Sequence, residues 1–345
     1  GREFAQYAKS KDLQIIKPAE IHDTVDLEKT PNLNKITKYF GAFLPKELIS
    51  GFDANSLIVG GRRAAFKLLH VATKTQKKYA NTRDTLSIET TRLSAHNKFG
   101  TVSIREVYEV FAKISKTLVQ QLYWREFYYI LMASDPHALT GPYSNMATIQ
   151  WSKSASDFAR WTSGTTGFPV VDAAMRELNA THYMHNRGRM IVASFLVKDL
   201  RINWRWGERY FATQLVDYDP AQNNYNWQWV AGTGPFAAPY FRVFNPWAQG
   251  AHHDPEAEYI KKWIPALGDL PAKVIHNWAE YCEAAKSEKS MKSEKKQPQK
   301  SKLAPFLIEA VKKIISSNAD KYYPPMCDHN EKTAEYLKLV KNKTK

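Results

Sequence analysis

The chain has 345 residues, 43% of them hydrophobic, and its 49 Lys and Arg against 34 Asp and Glu give a net charge of +15. That length holds one large or two ordinary domains. The longest strongly apolar run, the eight residues Met190 to Val197, is too short to cross a bilayer, and two cysteines, Cys282 and Cys327, are too few for a disulfide framework or a cysteine zinc site. An intracellular, soluble protein is expected, and a field of this sign attracts polyanions, nucleic acid first among them.

Residues 1–55 are polar and carry Pro18, Pro31 and Pro45, which predicts a linker with short helices. From Arg62 the pattern turns helical, with Ala65, Leu68, Leu69 and Ala72 on one stripe, and ends before the polar segment Thr73 to Asp84, which holds Tyr79 and Arg83. The run Thr90, Thr91, Arg92, Leu93 and Ser94 then offers hydroxyls and consecutive N–H groups. A turn of that kind caps a helix or cradles a pyrophosphate. Ser103 to Lys116 reads as a helix with Val107, Val110, Phe111 and Ile114 on one face. The helix after it places Gln121, Trp124, Arg125 and Tyr128 at i, i+3, i+4 and i+7, too many large polar-tipped side chains for a plain core face.

Gly164, Gly167 and Pro169 predict a turn closing into a helix at Val170, with Asp172 favouring its N-terminus. The segment Thr181 to Trp229 is the centre of the chain. Its apolar run, Met190 to Val197, predicts an internal helix, yet Asn186, Arg187 and Arg189 lie within a turn of its start. Buried guanidinium needs a carboxylate, and Asp217 and Asp219 follow, with the amides of Asn223, Asn224 and Asn226 and the indoles of Trp204, Trp206, Trp227 and Trp229 nearby. Two interpretations stand on spacing alone: a polar core network closed on itself, or the wall of a site for a flat, polar cofactor. His182 and His185, and the pair His252 and His253, lack a Cys or carboxylate partner at ligand spacing, so no metal is expected. Residues 281–302, rich in Lys, Ser and Glu, read as a solvated low-complexity linker, and 303–345 as a helical closing segment beginning with a helix over Leu303 to Ser316.

The stretches MHNRGRMIVASFLVKDL, Asp217-x-Asp219, Asn223-Asn224 and Trp227-x-Trp229, together with TTRLS, YWREFY, TGFPVVDAAMREL and AAPYFRVFNPWAQG, resemble the DNA photolyase/cryptochrome family. The likeness is greatest to its class I cyclobutane-pyrimidine-dimer photolyases. It implies an all-α fold, the C-terminal FAD-binding helical domain of that family, over residues 56–280, without the α/β antenna domain that usually precedes the linker. It also implies FAD as cofactor and, as partners, DNA containing pyrimidine dimers and a separate antenna domain. The implied activity is light-driven splitting of a flipped-out dimer by electron transfer from the reduced cofactor.

Residue by residue, the resemblance places Tyr79, Thr90, Thr91, Arg92, Leu93, Ser94, Arg125, Asn186, Arg189, Asp217, Asp219 and Asn223 at the cofactor. Arg189 is implied to pair with Asp217, Asp219 to accept from the flavin imide, and Asn223 to face N5. Gln121, Trp124, Asn186, Met190 and Trp229 are implied at the lesion, Arg83 at the DNA-facing mouth, and Trp151, Trp204 and Trp227 as an electron-hopping triad. Gln121 departs from the family pattern, because cyclobutane-dimer enzymes usually carry Glu there and Gln is common in (6-4) photolyases and animal cryptochromes. Met190, Asn223, Trp124 and Trp229 point back to the cyclobutane enzymes. A cryptochrome-type blue-light photoreceptor or a (6-4) photolyase is the alternative.

Overall fold

A computed structural model describes residues 58–139, 150–234, 242–291, 304–318 and 321–341. The expected linker over 1–55, most of the low-complexity stretch and the start of the AAPYFRVFNPWAQG motif lie outside the described residues. Every regular element among those described is helical, with one isolated parallel bridge between Ser152 and Ile202.

Helices α1 (Arg62–Thr75), α2 (Tyr79–Thr82), α3 (Ser94–Phe99), α4 (Ile104–Ile114) and α5 (Lys116–Ser134) form the first layer. Ala65, Leu69, Ala72, Val107, Phe111, Leu118 and Leu122 close its small core. The polar segment expected from Thr73 is therefore helical for three more residues. A capping box starts α4: the Ser103 hydroxyl accepts from Arg105 N, and Glu106 reaches back to Ser103 N at 2.8 Å.

The larger core belongs to α6 (Ala155–Ser163), α7 (Pro169–Thr181), α8 (Asn186–Ser194), α9 (Trp204–Gln214) and α10 (Pro220–Ala231), with the helices that follow them. These are α11 (Pro246–His253), α12 (Glu258–Trp263), α13 (Ala272–His276), α14 (Trp278–Met291) and α15 (Pro305–Ser316), while α16 (His329–Lys341) closes a small cluster of its own with Tyr336 and Val340. Helix α7 is buried nearly all round, as its apolar composition requires. Helix α8 runs on into a π-helical turn, Phe195–Asp199, all five residues of which are buried. Helix α14 passes the expected boundary at residue 280, because Tyr281, Cys282 and Ala285 still supply a buried stripe; charge-rich composition hid that stripe from the sequence.

The closing segment is threaded into this core rather than laid on it. Asp172 accepts from Thr166 N, Thr166 Oγ1, Gly167 N and the hydroxyl of Tyr322, a fully buried residue. Burial pushes the Asp172 carboxyl upward and those four donors oppose it. Gly167, at φ 81°, sits so close to the chain that a Cβ there would stand 2.2 Å from the Pro324 carbonyl oxygen. On α16, His329 Nδ1 bonds the buried Asp199 of the π-turn.

Candidate functional site

Between the two layers lies a cavity of about 760 Å³ walled by α2, α3, α5, α8, α10 and the loops before α3 and α10. It brings together Tyr79, Arg83, Thr90, Thr91, Ser94, Gln121, Trp124, Arg125, Asn186, Arg189, Met190, Asp217, Asp219, Asn223, Trp227 and Trp229, residues that the chain scatters over 150 positions. Arg92 and Leu93 are not in that wall. The Leu93 side chain fills the small core, and Arg92, at φ 51°, turns to Glu89 at 2.8 Å beside a second, smaller cavity. Trp204 is buried behind the wall, and Trp151 packs on Tyr336 and Val340 of α16.

Helix periodicity builds the face that α8 presents. Asn186, Arg189, Met190 and Ala193, at i, i+3, i+4 and i+7, turn to the cavity while Ile191 and Val192 are buried in the core. The helix is capped by His185, whose Nδ1 accepts from Arg187 N at 3.1 Å. Burial pushes this imidazole down to about 4, so it is neutral with its proton on Nε2.

The two arginines of α8 find different carboxylates. Arg189 Nη2 lies 2.9 Å from Asp217 Oδ2, and its Nε donates to Met184 O at 2.8 Å. Burial opposes the Arg189 charge, but Asp217 beside it outweighs that and holds the guanidinium protonated. Arg187 Nη2 pairs at 2.8 Å with Asp84, 103 positions away in the chain and not among the expected site residues. Asp217 Oδ1 is buried with no hydrogen-bond partner, as is Asn97 Oδ1, and both residues line the cavity.

Asp219 is occupied differently. Its Oδ1 caps α10 by accepting from Ala221 N and Gln222 N, its Oδ2 accepts from the Tyr129 hydroxyl, and Lys98 Nζ lies 3.8 Å away. Asn223 spends its amide hydrogens on Glu208, at 3.3 Å to the backbone oxygen and 3.1 Å to Oε1. Its own oxygen is the end left for the cavity. Tyr218 donates to the same Glu208 Oε1 at 3.2 Å. Glu208, Tyr129, Lys98 and Asp84 were illegible as site residues, since each acts through a partner distant in sequence.

Across the cavity α5 presents the face its spacing predicts. Gln121 donates to Thr117 O at 3.1 Å, which leaves its amide oxygen exposed to the space. Trp124 stacks on Tyr128, with ring centroids 6.2 Å apart, and Tyr128 stacks on Tyr225 at the same distance. Opposite, Arg242 covers the ring of Trp229 at 5.8 Å. Among the described residues no three His, Cys, Asp or Glu side chains converge as a metal set, and no helix is long and apolar enough to cross a membrane.

Residues 118–342 match the family model described as the FAD binding domain of DNA photolyase. The chain belongs to the DNA photolyase family. It is 44% identical over 244 residues to the deoxyribodipyrimidine photo-lyase of Salmonella typhimurium, an alignment covering 66% of this chain and 52% of that photolyase. In fold it is similar to a bacterial class III photolyase from Agrobacterium tumefaciens, with a TM-score of 0.71 and 33% identity over 83% of this chain and 56% of that one. An archaeal photolyase from Sulfolobus tokodaii with two FAD molecules is likewise similar, with a TM-score of 0.66 and 39% identity over 83% of this chain and 57% of that one. The chain spans about half the length of the curated photolyases it matches.

The photolyase cofactor fits this wall on its donor set. A buried Asp217 oxygen and a buried Asn97 oxygen lack donors, and leaving such groups unpaired costs about 1–3 kcal/mol each. A ligand bearing N–H and O–H groups supplies what they lack, and the hydroxyls of Thr90, Thr91 and Ser94 at the same cavity suit phosphate oxygens.

Proposed function

We propose that this chain is the FAD-holding half of a light-driven deoxyribodipyrimidine photo-lyase that splits cyclobutane pyrimidine dimers in DNA. One observation carries the proposal: a single cavity is lined both by the polar cofactor set Arg189, Asp217 and Asn223 and by two indoles, Trp124 and Trp229. When bound, FAD supplies a light-driven one-electron donation that opens the cyclobutane ring and recovers the electron.

The protein's part is to hold, orient and exclude water. Thr90, Thr91 and Ser94 hold the diphosphate. Asp217 Oδ1 is the acceptor open to a polar hydrogen of the cofactor, whereas Asp219 already serves three donors and acts first as the cap of α10. Asn223, its amide hydrogens fixed by Glu208, would offer its side-chain oxygen to the cofactor. Trp124 and Trp229 sandwich the extruded bases, and Gln121 and Asn186 hydrogen-bond their edges. Extrusion costs a few kcal/mol, least for a damaged pair. Trp227, on the cavity wall, passes electrons inward from Trp204 and Trp151 to restore the reduced cofactor. Arg83 and Arg242 at the cavity meet phosphate, so binding weakens as salt rises.

The deciding experiment follows a defined thymine dimer in a short oligonucleotide, in light and in darkness, with protein of known FAD content reduced anaerobically. Light-dependent repair is expected. FAD-loaded protein that leaves the dimer intact would sink the proposal and favour the photoreceptor alternative, for which Gln121 is the one residue that speaks.

A further inference from the structure

We infer a second electron-donor branch that leaves Trp227 sideways through Trp161 and ends at Tyr210. The inference rests on the proposed role of Trp227 at the cofactor, and it concerns Trp161 and Tyr210, which neither the expected triad nor the cavity wall includes. Trp161 is fully buried, and its ring centroid lies 6.3 Å from that of Trp227 at 70°. Tyr210 lies 5.8 Å beyond it. Phe211 fills the angle between the two indoles, 5.1 Å from Trp227 and 6.2 Å from Trp161. The path is therefore a chain of successive aromatic ring contacts.

Chemistry assigns different parts to the members. Phenyl rings are hard to oxidise, so Phe211 serves only as packing. Indole and phenol are the two side chains in the path that give up an electron readily. The Trp161 indole N–H is tied to the buried Val192 carbonyl at 3.0 Å, and a backbone carbonyl is too weak a base to take that proton. An oxidised Trp161 thus stays a cation and passes its charge on. Tyr210 is built to end the path. Its hydroxyl donates to the side-chain oxygen of Asn179 at 2.7 Å, and Asn179 is exposed to solvent. Burial pushes the resting phenol upward, but an oxidised phenol is a strong acid and releases its proton along that bond toward water.

The step balances as follows. An electron leaves Trp227 for the light-excited oxidised flavin, Trp161 refills Trp227, Tyr210 refills Trp161, and the phenolic proton of Tyr210 leaves through Asn179 to water. A neutral tyrosyl radical remains, and an added thiol returns it to tyrosine by supplying one electron and one proton.

The test uses FAD-loaded protein, with flavin photoreduction and the radical signature read together by absorption and electron paramagnetic resonance. Trp204→Phe, which cuts the expected triad behind Trp227, is expected to lower photoreduction without abolishing it and to raise the tyrosyl signal. Adding Tyr210→Phe to that variant is expected to remove the tyrosyl signal and most of the remaining photoreduction. Tyr210 is half-buried, so the substitution leaves the core intact. Complete loss of photoreduction in Trp204→Phe alone, with no tyrosyl radical, would overturn the branch. Trp227→Phe separates the two ideas: normal photoreduction in that variant removes the role of Trp227 itself, and the branch with it.

Discussion

A Cβ on residue 207 would stand 2.2 Å from the outer edge of the Trp227 indole and 2.6 Å from a Leu196 methyl carbon, so the glycine is what lets the edge of that ring come up against α9. Gly207→Ala is therefore expected to displace Trp227 from the cavity wall. Overpacking of this kind costs about 1–3 kcal/mol. The melting temperature should fall, and photoreduction of bound flavin should slow more than FAD content declines. An unchanged photoreduction rate would place the electron entry elsewhere.

Asp217→Asn should be felt by cofactor and fold alike. It leaves Arg189 without its carboxylate in a largely buried position. Breaking a buried pair from one side costs about 3 kcal/mol, toward the lower end of the usual range because Arg189 keeps some solvent contact. Purified variant is expected to carry less FAD and to melt lower even as apoprotein; a loss confined to the FAD-loaded form would mean that the pair acts only through the ligand.

Glu208 holds the Asn223 amide by two bonds without being part of the cavity wall. Glu208→Ala removes the Oε1 bond and leaves only the longer one to the backbone oxygen, so the amide should be held less firmly, with FAD content preserved. Photoreduced protein is expected to reoxidise faster in air, whereas Glu208→Gln, which keeps a side-chain oxygen for the amide hydrogens, should stay near the parent rate. Equal rates in all three would remove the orienting role.

Gln121→Glu restores the residue that cyclobutane-dimer enzymes usually carry at this point of α5. Repair per absorbed photon is expected to rise, measured on a defined thymine dimer at equal FAD occupancy. No gain would mean that the amide already supplies what the reaction needs there.

Acid should weaken the fold through His185. Burial lowers its folded-state value to about 4, well below the ordinary imidazole value of about 6.5, so the unfolded chain binds the extra proton first. Stability from this group is complete above about pH 6.5 and is lost as pH falls toward 4, by about 3 kcal/mol on full linkage. Asp172, Glu177 and Asp254, all pushed upward by burial, oppose that slope. The comparison is therefore with His185→Asn, which keeps a cap for Arg187 N and does not titrate. The parent should lose stability relative to the variant between pH 6.5 and 4.5, and parallel curves would refute the assignment.

Helical spacing made the face of Gln121, Trp124, Arg125 and Tyr128 on α5 legible, whereas Asn186, Arg189 and Met190 on α8 were placed at the site by the family resemblance. The need of a buried guanidinium for a carboxylate pointed to Asp217 or Asp219, and the family resemblance picked the Arg189 and Asp217 pair that the structure contains. Spacing could not distinguish Asp217, with one oxygen open, from Asp219, consumed as a helix cap, since both sit before the same helix. Nor could it join Asp84 to Arg187, or Trp161 to Trp227, because those contacts depend on how the layers close. The linker reading overran α14 for a plainer reason: three buried residues among many charged ones do not alter composition enough to register.

Tyr322 bears on how the protein is made. Its ring is fully buried and its hydroxyl completes the shell around Asp172, a carboxyl at the base of α7. During synthesis the helices that wall the cavity leave the ribosome long before residue 322 does. Until then Asp172 is short of a donor and the socket for Tyr322 stands open, so the nascent domain passes through a stage of exposed apolar surface that only its final stretch can cover. A frameshift or stop codon between α14 and Tyr322 would keep every cavity residue and still leave that stage permanent.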